Sequence, residues 1–219
     1  MRKIIFLLSI ISLPLLGRIE IDEVLSVEFP YEKIKISKDS VFSELDGITY
    51  KGDLTNYSLN TKSGIFNVST NVVVDKQKQG LNWFPTSSED LESRYKKYIK
   101  SFESSMNKKS FGLSERLQID IDGFLGYHLI FRDSLTSSRS TEVVVLDLNA
   151  KQYFFTYYQI DSLDEGSKEG FFNSIVIKNP EDQIQIKESS LFDNKILKMI
   201  FWALFTAGAF YFRKITKDK

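Results

Sequence analysis

The chain has 219 residues, with 29 Lys plus Arg against 29 Asp plus Glu, a single histidine and no cysteine. Balanced charge supplies no global field for nucleic acid, whose binders carry a basic stripe; the pairs Lys96-Lys97 and Lys108-Lys109 read as solvated helix ends. Lack of cysteine excludes disulfides, thiolate zinc sites, iron–sulfur clusters and cysteine nucleophiles. The 18 Phe and 10 Tyr provide enough aromatic surface for a sizeable core.

The N-terminus, MRKIIFLLSIISLPLLGRIE, joins a basic start at Arg2 and Lys3 to an apolar stretch over residues 4–16. That pattern is an export signal. Leu15 stands where a cleavage site wants a small residue before Gly17, so residues 1–17 read as a signal peptide or an uncleaved anchor.

Residues 18–178 read as one extracytoplasmic α+β domain, an antiparallel sheet with packed helices. ELDGITY and DIDGFLG carry Asp-Gly, LNTKSGIF is a longer glycine-containing turn, and LDLNAKQYF is an Asn-centred one. Strands with period-2 alternation lie between them. In GYHLIFRD, Tyr127, Leu129 and Phe131 share one face while His128, Ile130 and Arg132 share the other. STEVVVLDLN puts Val144, Leu146 and Leu148 together, and QYFFTYYQI is apolar on both faces, as a covered central strand should be.

A long amphipathic helix interrupts the strands, with Leu91, Tyr95, Tyr98, Ile99, Phe102 and Met106 on one stripe. Thr86 with Glu89, or Ser87 with Asp90, offers a capping box, and Gly112 a stop. A shorter helix is expected from Ser162 toward EGFFNSI. Residues 179–194 read as a polar tether.

The chain closes on KILKMIFWALFTAGAFYFRKITKDK. Residues 199–212 carry no charge and no polar stripe, and counted back to Ile196 the helix would cover about 25 Å, the short limit for a membrane span. Residues 195–214 therefore read as a transmembrane helix. Arg213, Lys214, Lys217 and Lys219 put the tail, residues 215–219, on the cytoplasmic side. Ala203, Ala207 and Gly208 form a small-residue patch of the kind that lets helices approach.

Three stretches carry a resemblance: VLSVEFPYEKIKI, the hairpin DGFLGYHLIFRD after a long helix, and EGFFNSIVI. Together, over residues 24–177, they resemble the Mog1/PsbP-like fold. That family includes an extrinsic photosystem II subunit, a Ran-binding protein and many exported bacterial proteins. The resemblance implies a binding or assembly module with no shared catalytic motif, and it carries over no site residue. The C-terminal apolar run departs from the soluble members.

For chemistry, His128 is the only histidine, beside Asp120, Asp122 and Arg132 in a predicted hairpin where a carboxylate could orient it. DIDG echoes a calcium loop, but Gln118 and Leu129 occupy two ligand positions, so a hairpin turn is expected and no metal. Glu89-Asp90 and Asp164-Glu165 fall in first helical turns, where acids oppose the helix dipole. Tyr153, Phe155 and Tyr157 could line a ligand groove or pack a core. Asn56-Tyr-Ser and Asn67-Val-Ser match glycosylation acceptors.

The expectation is a membrane-anchored, non-catalytic domain without a cofactor that binds a protein partner or assists an envelope complex. The alternatives are a small-molecule or lipid-binding module with an aromatic cavity, and a hydrolase using His128. The topology is testable directly: protease added outside intact cells or spheroplasts should digest the region between Arg18 and Asn194, and full protection would contradict the assignment.

Overall fold

A computed structural model describes residues 17–31, 33–45, 48–74, 84–135 and 138–187. The expected signal segment up to residue 16, the apolar run at 195–214 and the tail lie outside the described residues. Among those residues no helix is long and apolar enough to cross a membrane.

The order is β1 (Gly17–Glu20), β2 (Leu25–Phe29), β3 (Lys35–Leu45), β4 (Ile48–Asn60), β5 (Gly64–Val74), α1 (Ser88–Asn107), β6 (Phe111–Ile121), β7 (Phe124–Asp133), β8 (Ser140–Leu148), β9 (Lys151–Gln159), α2 (Glu165–Asn173) and β10 (Val176–Ile177). Seven strands form one antiparallel sheet in the order β3-β4-β5-β9-β8-β7-β6, and β1-β2-β10 form a second, small sheet. The chain is thus an α+β fold. Two hairpin meanders meet where β5 pairs with β9, and α1 carries the chain from the middle of the sheet to its far edge.

Strand alternation sends the core in two directions. On one face Phe66, Val68, Val144, Leu146, Tyr153, Phe155 and Tyr157 are covered by Leu25, Val27 and Phe29 of β2 and by Phe171 of α2. On the other, Leu129, Phe131, Val143 and Val145 meet Leu91, Tyr95, Ile99 and Met106 of α1. Strand β8 is buried along its whole length because both layers cover it. The predicted helix stripe is the buried one, with Tyr98 and Phe102 at its half-buried margins.

Local signals hold with small corrections. Ser87 caps α1 by accepting from the Asp90 N–H at 3.2 Å, while the Asp90 carboxylate accepts from the Thr86 N–H at 3.0 Å. The helix ends at Asn107, before Gly112, because Ser110 takes the left-handed conformation at φ 65° and Gly112 already belongs to β6. Helix α2 begins three residues after Ser162, since Asp164 is its N-cap and accepts from the Ser167 N–H at 3.0 Å. DIDG is a hairpin turn, with Asp122 and Gly123 at φ 50° and 89°. Gly64 answers a different need: a Cβ there would lie 2.6 Å from the Tyr157 ring and 2.7 Å from the Tyr158 carbonyl.

The beginning of the expected tether lies on the domain. Ile184 and Asn149 exchange hydrogen bonds at 2.8 Å, and the Lys187 N–H donates to the Pro85 carbonyl at 2.8 Å. The Gln185 amide donates to the Leu125 and Asp147 carbonyls at 2.7 and 3.0 Å and accepts from the Leu125 N–H. A polar strap of this kind satisfies backbone groups at strand ends that would otherwise need water.

The buried Asp147 and the half-buried Asp22 are handled oppositely. Burial pushes the Asp147 carboxyl up to about 6, against the Tyr98 hydroxyl at 3.0 Å and the Arg94 charge, with Asp90 adding to the rise. Asp22 is also penalised by burial, but hydrogen bonds from Lys151, Tyr153 and Val24 hold it below its ordinary value.

Because the folded state holds the Asp147 proton more tightly than the unfolded chain does, that group's stabilisation is complete below about pH 4 and is lost as pH rises through 6. Asp22 contributes in the opposite sense, above the unfolded value, and its share is lost on acidification. Asp147→Asn should therefore raise stability at pH 7 by about 1–3 kcal/mol and flatten the decline between about pH 4 and 6. Denaturant titration across pH checks this; an unchanged slope in the variant would contradict it.

Candidate functional site

His128 points to the face of the sheet that carries α2. Its Nε2 lies 3.0 Å from Glu142 Oε2, and the other carboxylate oxygen accepts from Lys168 Nζ at 2.7 Å. Lys168 also meets Glu165 Oε1 at 2.6 Å, and the His128 ring stacks on Phe172 with centroids 5.2 Å apart. The carboxylate that orients His128 is thus Glu142, from the neighbouring strand. Asp120 and Asp122 are engaged elsewhere: Asp120 accepts from the Gly123 N–H in the turn, and Asp122 accepts from the Ile177 N–H and pins β10.

Burial raises the Glu142 carboxyl, but hydrogen bonds from His128 and Lys168 and the Lys168 charge outweigh it and hold the group ionised below its ordinary value. Lys168 is lowered by burial and raised by Glu142 and Glu165, with a net rise. The chemistry of this set is a clasp. It holds an α2 cation against a β8 anion within a cleft of about 620 Å³ between α2 and the β6–β7 edge.

Neither Glu142 nor Lys168 was among the residues singled out from the sequence, although a signal was present. Residue 142 shares the alternation of Val144 and Leu146, so a carboxylate there faces the core and requires a cation. Tyr153, Phe155 and Tyr157 lie on that same face and are fully buried, packed with Phe66 and Phe171. Their role is core packing, and Tyr153 is further committed by its hydroxyl, which donates to Asp22 at 2.8 Å.

A second concavity, an open groove of about 1440 Å³, lies at the end of the central strands opposite the β8–β9 turn. Its walls are the β2–β3 link, the β4–β5 turn and the β9–α2 loop. Each is fixed from below. Pro30 follows the last residue of β2, and Thr61 Oγ1 donates to the Gly64 carbonyl and accepts from its N–H at 2.9 and 3.0 Å. The Ile160 N–H donates to the Ser63 carbonyl at 3.0 Å, tying the turn to the end of β9. Tyr31 and Leu163 stand 59% and 47% exposed on this frame, with Lys33, Lys62, Asp164 and Glu165 around them. The groove thus holds an exposed aromatic and an exposed aliphatic side chain within a charged rim.

If the triad is a clasp, removing Glu142 alone should be costly, because Lys168 keeps only the half-exposed Glu165. Glu142→Leu should destabilise by about 3–5 kcal/mol, while Glu142→Leu combined with Lys168→Met should recover most of that loss. Denaturant titration of the single and double variants decides it; a neutral single variant would contradict the clasp. Compared with protein-family models, curated proteins and solved structures, the chain matches none.

Proposed function

We propose that the chain is a membrane-anchored, non-catalytic extracytoplasmic domain that captures a protein partner at its open groove. The observation that carries this reading is the exposure of Tyr31 and Leu163 together on the walls of one open groove. The anchoring part rests on the basic-flanked apolar run at residues 195–214 and on the export-like N-terminus.

The strap supports a close coupling of domain and anchor. It docks the chain as far as Lys187, so the seven residues 188–194 span at most about 25 Å before the apolar run begins. The strap lies near the β8–β9 turn, whereas the groove lies beyond the other end of β9, about 30 Å away. A domain held this way keeps its partner surface clear of its C-terminal attachment. We read the fold as Mog1/PsbP-like on the motifs over residues 24–177, a family of binding and assembly modules.

The test is photo-crosslinking from the intact chain in its native membranes. A photoreactive residue in place of Tyr31 or Leu163 should give discrete adducts with a protein, whereas the same residue at Ser104, on the outer face of α1, should not. Equal labelling from all three positions would contradict the proposal.

A further inference from the structure

We infer that the partner segment is extended, and that it adds as an eighth strand to the outer edge of β3, with acidic side chains meeting Lys35 and Lys38. This rests on the partner-binding reading above and specifies its chemistry.

The two edges of the large sheet differ. Strand β6 carries a register shift between Leu113 and Glu115, a bulge that disrupts the edge as a template. Strand β3 pairs with β4 in unbroken register from Lys35 to Leu45, and among the described residues it is paired on that side alone. Neither cover reaches it. Helix α1 packs on β6 and β7, and residues 35–40 are exposed on both faces of the strand. Long regular edges are ordinarily avoided in isolated domains because each unpaired N–H and C=O invites another strand. Here the edge begins two residues past Lys33, in the wall of the groove that presents Tyr31.

The side chains along the edge define what would fit. Alternation places Ile36 and Lys38 on one face and Lys35, Ser37 and Asp39 on the other. Ile36 is 56% exposed. Among the described residues no acidic side chain pairs with Lys33, Lys35, Lys38 or Lys62. An added strand therefore needs an acid beside Lys35, an apolar residue beside Ile36 and a second acid beside Lys38, with no acid beside Asp39. Main-chain bonds would supply the affinity and these flanking positions the selectivity. Edge lysines are also a common guard against aggregation, and a guard alone has no preference for acidic partners.

The experiment uses the intact chain in its native membranes, with a photoreactive residue at Tyr31 or at Ile36. Strand addition predicts adducts from both positions, mapping by mass spectrometry to one partner segment with acids flanking an apolar residue. Reversing Lys35 and Lys38 together (K35E, K38E) should cut the Tyr31 yield about tenfold, K35Q with K38Q should cut it less, and reversing the distant pair Lys96 and Lys97 should leave it unchanged. Adducts from Tyr31 that ignore the Lys35 and Lys38 reversals, with none from Ile36, would overturn strand addition while leaving the partner reading in place. Absence of adducts from both positions would overturn the partner reading itself.

Discussion

One side chain joins the parts of this domain. Phe171, on the short helix α2, is fully buried with its ring 5.3 Å from Phe29 of the small sheet, 5.3 Å from Phe66 of β5 and 6.5 Å from Phe155 of β9. Tilted and edge-on contacts of this kind add to the burial of a large apolar area. Through them β2, α2 and the middle of the large sheet become one body. The groove inherits its shape from that body, because its walls are the segments leaving β2, β4 and β9 and the loop entering α2.

Around this apolar centre the buried carboxylates follow distinct electrostatic rules. Glu142 is compensated by a cation from α2 and by His128, and Asp22 by Lys151 and the Tyr153 hydroxyl. Both sit on the face closed by the small sheet, where each ties one layer to another. Asp147 lies under α1 beside neutral hydroxyls, so its charge is poorly offset and its proton more firmly held. The single histidine belongs to this structural set: its available carboxylate is already shared with Lys168, and its ring is stacked on Phe172.

Much of the fold was legible because it is periodic. The stripe of α1 and the hairpins between β6 and β9 follow from spacing alone, whereas β9, expected to be covered on both faces, buries one face fully and the face of Phe154 and Tyr158 only by half. Boundaries were less legible where one residue's geometry decides them, as with Ser110 ending the turn after α1 and Asp164 capping α2. The clasp at His128 was half legible: a carboxylate was expected, but strand neighbours 14 residues apart in sequence supply it, and Lys168 reaches it from a helix 26 residues away. The groove was not legible, since Tyr31 and Leu163 come to line one concavity only after the sheet brings three loops to one end. Tyr153, Phe155 and Tyr157 illustrate the converse, because an aromatic strand reads alike whether it lines a cavity or fills a core.

Among the described residues, a strapped exit toward an apolar segment stands at one end of the domain and an edge strand paired on one side alone begins beside an exposed aromatic. The central claim is that β3 is an unfinished edge that a partner completes. Hydrogen exchange read peptide by peptide, on the purified chain and on the chain in native membranes, tests this most directly. The account predicts that the alternate amides of residues 35–40 that point away from β4 exchange quickly in the purified chain and become protected in membranes, while β8 and β9 are protected in both. Equal, fast exchange of those amides in both settings would contradict it.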